Sequence, residues 1–163
     1  MENKLDEIEH TEVIVIQALT RDLVDKDVEY MNEGINKVVS KALTKARKVV
    51  LSTIIRRDDV KQIGAKAELV NAKLKYRYLD DDNVIICDNQ NLYDNKFRSD
   101  DGIHLTPHGT SVFATNLKHT IAKALNISVI KKEKSRRNYA DNRRDNTRRD
   151  FFGNSYFNDR GSP

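Results

Sequence analysis

An acid and an imidazole stand three residues apart in Asp101-Gly102-Ile103-His104, within a polar loop that ends at Thr106-Pro107. A carboxylate that accepts a hydrogen bond from one imidazole nitrogen fixes the tautomer and leaves the other nitrogen free to take a proton from a nucleophile. The spacing therefore suits a general base and its orienting acid. Alone, so short a pattern fits an ordinary loop carboxylate beside a helix-flanking histidine even better, and the catalytic reading needs support from other segments. His108 follows His104 by four residues, as paired metal ligands on a helix do, but no third ligand follows at a sensible spacing. A surface or capping role is favoured for it, and no metal or other cofactor is expected. Cys87 ends an apolar run and reads as a small core residue, because a thiol in apolar surroundings stays protonated. Asp80, Asp81 and Asp82 read as a solvated turn.

Positioning such a pair takes rigid elements on either side. Val13 to Ile16 is a continuous apolar run too short for a helix, the pattern of a strand buried on both faces, and Val49 to Ile55 and Val84 to Cys87 repeat it. Between Asp27 and Lys48, Val28, Met31, Ile35, Val38, Val39, Ala42 and Ala46 recur at helical steps, with Asp27 as N-cap. A second helix places Val60, Ile63, Ala67, Val70 and Leu74 on one face. Thr106 before Pro107 marks a third helix start, the hydroxyl capping and the proline pre-set for the first turn. Its stripe is Phe113, Leu117, Ile121 and Ala124. Strands alternating with helices argue for an α/β layer with a parallel sheet. Three buried strands make a thin sheet with open edges that neighbours must cover, so part of the sheet is expected to be missing at the N-terminus.

With these elements in place, DGIHLTPHGTSVFATNLKHTIAKAL resembles the last block of the SGNH (GDSL-type) hydrolases, in which an Asp-x-x-His segment precedes the closing helix. Two further runs agree in order. VIVIQALTRDL resembles the strand ending in that family's Gly-x-Asn-Asp, with Leu19, Thr20, Arg21 and Asp22 in those places, and VVLSTIIRRDD resembles its central strand and following loop. The likeness covers roughly residues 12 to 126. It implies a three-layer flavodoxin-like fold, incomplete at the N-terminus, and ester hydrolysis through a serine nucleophile. On that resemblance Asp101 would be the orienter and His104 the general base. The family's nucleophile lies in a Gly-Asp-Ser block upstream of everything matched here, and Ser52, inside a strand, reads as structural. The oxyanion position is altered as well, since Arg21 stands where the family has Asn and the upstream glycine donor is absent. Losing one such donor costs on the order of a hundredfold. The resemblance thus implies an ester hydrolase that is impaired or inactive in this chain.

Charge separates the chain into two parts. From Lys131 to Pro163 there are ten Lys and Arg against five Asp and Glu, so the net charge of +4 for all 163 residues belongs to the end of the chain. Residues 131–163 have almost no aliphatic side chains, and such a segment cannot bury enough surface to offset its ordering entropy. A disordered basic tail is expected there, a frayed start over residues 1–11, and a partial hydrolase-like domain over 12–130. Arg136, Arg137, Arg143, Arg144, Arg148 and Arg149, interleaved with Tyr139, Phe151, Phe152, Tyr156 and Phe157, could neutralise phosphates and stack on unpaired bases. The rival function is therefore an accessory protein that binds RNA or single-stranded nucleic acid, an arrangement that resembles proteins of mobile retroelements. A single cysteine, the lack of an apolar leader and the lack of an 18-residue apolar run lead to the expectation of a reduced, intracellular, cytoplasmic protein without membrane contact. Open sheet edges lead to an expectation of self-association.

Overall fold

In the computed structural model, which describes residues 2–57, 59–60 and 62–128, the three apolar runs form one parallel sheet in the order β1-β2-β3. The strands are β1 (Thr11–Ile16), β2 (Ala46–Ser52) and β3 (Val84–Cys87). Thr11 pairs with Ala46 and Val49 pairs with Val84. Alternation along the strands divides the core. Ile14, Ile16, Val49, Leu51 and Val84 face α3 (Val28–Leu43) and α4 (Ile63–Arg77). Val13, Val50, Ile85 and Cys87 face α5 (Pro107–Ala124) on the opposite side. The result is the expected α/β/α layering, with one helix on one face and two on the other. Two single-turn helices, α1 (Glu2–Leu5) and α2 (Asp22–Asp25), complete the set.

Local chemistry sets the helix starts. Asp27 caps α3 by accepting the Tyr30 N–H at 2.7 Å, and Met31, Ile35, Val39 and Ala42 form its buried stripe. Thr106 caps α5 by accepting the Gly109 N–H at 3.1 Å, with Pro107 in the first turn.

Several expectations are corrected. Only β2 is buried on both faces over most of its length. In β1, Val15 is 40% exposed on the α5 side, because α5 lies mainly over β2 and β3. The stripe of α5 is correspondingly half-covered at Phe113, Leu117 and Ile121, while Ala122 and Ala124 are buried. Val15 is the surface on which the expectation of self-association bears. Ala46 opens β2 instead of closing the preceding helix, and Ile55 lies beyond that strand. The start of the chain is not simply frayed. Leu5 is buried, Ile8 packs on the same core, and Lys41 bonds Asp6 at 2.8 Å, so the compact unit runs from residue 1 to 129. These two apolar residues are the exceptions in a charged decapeptide.

Beyond Ser52 the sheet is continued by side chains. Asn71, on α4, accepts the Ile54 N–H and donates to the Ile54 carbonyl, both at 2.8 Å, as a neighbouring strand would. Asn89 sits fully buried just past β3. Its amide donates to Ser52 Oγ at 2.9 Å and to the Thr53 carbonyl at 3.1 Å, and its carbonyl accepts from Asn116 of α5 at 3.1 Å. Ser52 is thereby a buried hydrogen-bonding partner, as the sequence suggested.

Candidate active site

Past β3 the chain makes two short 3-10 turns, Gln90–Leu92 and Asn95–Phe97, and then a closed bracket. Arg98 and Leu105 form an antiparallel bridge, the Ser99 N–H donates to the His104 carbonyl at 2.8 Å, and the Thr106 N–H donates to the Phe97 carbonyl at 2.9 Å. Arg98 is 93% removed from solvent, and its guanidinium donates to the Arg56 carbonyl, the Tyr93 carbonyl and the Asn95 side chain. At the tip of the bracket Gly102 turns with φ of 69°, a backbone state that glycine adopts freely. The loop is thus rigid at its base and open at its tip.

That tip brings Asp101 and His104 together. One carboxylate oxygen of Asp101 accepts the backbone N–H groups of Ile103 and His104, at 2.8 and 2.9 Å. The other lies 2.5 Å from His104 Nδ1. The side-chain bond from His104, followed by the two backbone N–H donors, lowers the Asp101 carboxyl from its ordinary 3.8 to about 2. A carboxylate held ionised can only accept, so Nδ1 carries the proton of this bond, and in the neutral imidazole the lone pair is then on Nε2. The His104 side chain is 75% exposed, and among the described residues Nε2 has no hydrogen-bond partner. The carboxylate and the imidazole are thus joined at the tip of the loop, with Nε2 facing open space.

Because the folded carboxyl is more acidic than an ordinary one, these bonds stabilise the loop above about pH 4 and are lost as pH falls through the range from 4 to 2. A carboxyl carbon NMR titration of Asp101 is expected to show a midpoint near 2. A midpoint near 4 would mean that the short contact to His104 does not persist in solution.

The segment at the altered oxyanion position is a strained turn that leads into α2. Leu19 has φ of 76°, a left-handed conformation that costs a residue with a side chain about 1–2 kcal/mol and costs glycine nothing comparable. This is the place where the resembled block has glycine. Arg21 opens α2 in ordinary helical geometry, exposed and without a side-chain capping bond. Among the described residues no hydrogen bond joins it to Asp101 or His104. The cation that reaches this turn is Arg57, which donates from one terminal nitrogen to the Thr20 carbonyl at 3.2 Å and forks onto Asp59 at 2.9 and 2.6 Å. Sequence reasoning missed this pair, since only the order Arg-Asp-Asp at 57–59 hinted at it.

His108 stacks on Phe97, ring centres 5.2 Å apart, and among the described residues no group of three metal-binding side chains forms. Cys87 is buried, and burial pushes its thiol upward, in keeping with a core role. Asp81 accepts the Asn83 N–H at 2.9 Å in a solvated turn. No helix among the described residues is long and apolar enough to cross a membrane. Arg136, Arg137, Arg143, Arg144, Arg148 and Arg149 lie outside the described residues.

No family profile and no curated protein matches this sequence. Solved structures do. One is a member of the lipolytic protein G-D-S-L family from Veillonella parvula DSM 2008, at 18% identity and a TM-score of 0.62, the likeness covering 76% of this chain and 73% of that one. Another is a GDSL-like lipase from Bacteroides thetaiotaomicron VPI-5482, at 19% identity and a TM-score of 0.60, covering 69% of this chain and 62% of that one. Less than two thirds of the second protein is therefore spanned. The parallel sheet with helices on both faces is the fold that this chain shares with GDSL-like lipolytic proteins, an SGNH hydrolase-like fold.

Proposed function

We propose that this chain supplies the base and its orienter for ester hydrolysis of the serine-hydrolase type, and that by itself it turns over esters slowly. The observation that carries the reading is the 2.5 Å contact between Asp101 and His104 Nδ1, which leaves Nε2 facing solvent on a GDSL-like scaffold. In such a site Nε2 takes the proton of a hydroxyl as that oxygen attacks the ester carbonyl, and the Asp101 carboxylate stabilises the imidazolium that forms. Asp101 stays ionised throughout. Among the described residues no serine or threonine hydroxyl bonds Nε2, and Ser52 is committed to Asn89 inside the core. A base without its nucleophile retains little of a triad's power, since removing the serine costs on the order of a millionfold in a complete site.

The test is the initial rate of hydrolysis of a short-chain activated ester by the full chain and by His104→Ala, at equal concentration and pH. The wild-type rate is expected to exceed that of the variant by about tenfold at most, below the roughly hundredfold at which general-base effects ordinarily begin, because no hydroxyl among the described residues is placed to use the base. A larger ratio would show that the chain contains its own nucleophile and is a complete enzyme. Equal rates would remove His104 from any catalytic role.

A further inference from the structure

We infer that the Arg57–Asp59 pair is a positioning element of the candidate site, clamping the Leu19–Arg21 turn onto the loop that follows β2, the same loop to which the Asp101–His104 bracket is tied. The inference rests on the proposed site, but its evidence is separate from the dyad. The Arg57 and Asp59 side chains keep little exposure, 12% and 17%. The pair at Lys41–Asp6, by comparison, is 30% and 63% exposed. Two near-parallel bonds use one edge of the guanidinium, through Nε and one terminal nitrogen. That geometry orients the plane and aims the remaining terminal nitrogen at the Thr20 carbonyl.

The turn that receives this bond needs it. Leu19 holds a left-handed conformation that its own backbone disfavours, and α2, which follows directly, is a single turn and too short to stabilise itself. The segment is also held by Lys66 of α4, which donates to the Leu23 carbonyl at 2.9 Å, and by the Leu23 side chain, which is buried in the main core. Arg98, at the base of the bracket, donates to the Arg56 carbonyl at 3.2 Å, so the loop that carries Arg57 is itself hydrogen-bonded to the bracket. One guanidinium therefore connects the segment after β1 with the loop after β2, and that loop is bonded in turn to the base of the bracket. Arg57 is a positioning residue that acts through the Thr20 main chain. Lysine cannot replace it, since an ammonium keeps the charge but has no planar fork to hold Asp59 and a carbonyl at once.

The experiment uses the full chain and two variants, Arg57→Lys and Asp59→Asn, read by NMR. Backbone amide exchange is followed at Leu23 and Val24, whose N–H groups bond Leu19 and Arg21 carbonyls. The ring resonances of His104 are followed in the same samples. Both variants are expected to lower protection at Leu23 and Val24 by tenfold or more, to leave Val39 and Val50 unchanged, and to shift the His104 ring signals. Unchanged protection at Leu23 and Val24 in either variant would overturn the clamp. Loss of protection spread evenly through α3 and β2 would make the pair a general stabiliser, and a silent His104 would separate it from the site; either result defeats the inference. Neither readout depends on ester hydrolysis, so failure of the esterase reading leaves this result standing.

Discussion

Gly109→Ala is expected to destabilise the fold by about 2–4 kcal/mol, while the same change at Gly34 stabilises it by about 0.5–1 kcal/mol. A Cβ on Gly109 would lie 2.4 Å from the Phe97 carbonyl oxygen, and 3.1 and 3.2 Å from side-chain carbons of Phe97 and Leu105. The carbonyl cannot step aside, because it accepts the Thr106 N–H that closes the bracket under Asp101 and His104. Relief requires either that bond or the first turn of α5 to give way. Gly34 lies in the middle of α3 with nothing within 4 Å of its would-be Cβ, so alanine there gains only helix propensity. Chemical denaturation of the two variants against the parent tests the pair together. Equal shifts for both would show that α5 does not pack on the bracket as described. A second reading comes from the short His104 Nδ1 contact, whose low-field proton signal should be lost or broadened in Gly109→Ala and kept in Gly34→Ala.

Asn89→Ala is the other large expected loss, again about 2–4 kcal/mol. The side chain is fully buried and touches three elements at once: Ser52 and Thr53 at the end of β2, Cys87 in β3, and Asn116 in α5. Alanine would leave the Asn116 amide short of one acceptor and the Thr53 carbonyl short of one donor in a region closed to water. The penalty is the desolvation of groups left unpaired, which exceeds the net worth of the bonds themselves. Asn116 keeps its bonds with Asn91, so α5 should remain attached at that point while its register against β2 loosens. A thermal melt lowered by roughly 3–5 °C per kcal/mol for a domain of this size would agree. A change below 1 kcal/mol would mean that water enters and replaces the amide.

Much of this architecture was legible in the sequence, for identifiable reasons. Apolar runs of four residues bounded by polar loops marked β1 and β3, and three- and four-residue spacing marked the buried stripes of α3 and α4. Asp27 and Thr106 announced their caps because a short oxygen-bearing side chain before a helical stripe has few other uses. The dyad was legible because its partners are near neighbours in the chain, and the bond is made within one loop. What stayed hidden depends on contacts between distant segments. Arg57 reaches Thr20 across 37 positions and Asn89 reaches Ser52 across the same number, and neither bond leaves a local trace. The exposure of Val15 was also hidden, since periodicity reports that a strand is apolar but not how far a helix extends over it. Arg21 was read as an alteration of the oxyanion position in the resembled block; that it lies exposed at the start of α2 while Arg57 reaches the same backbone depends on the fold and had no local sign.

The consecutive strand order has a bearing on how the domain is made. In both pairings the partners are 35 positions apart, and each strand joins only the strand immediately before it in the chain. A chain leaving the ribosome can therefore lay down this sheet in the order of its synthesis, with no strand waiting for a later one to be inserted between it and its neighbour. The bracket cannot be set so early. Its bonds join residues 97 to 106 and its base packs against the first turn of α5 at Gly109, so His104 is held in its orientation only after the third strand and the loop beyond it have been made. Nascent or proteolytically shortened chains that end before Gly109 would lack α5 and leave the Val13, Val50 and Ile85 face of the sheet uncovered.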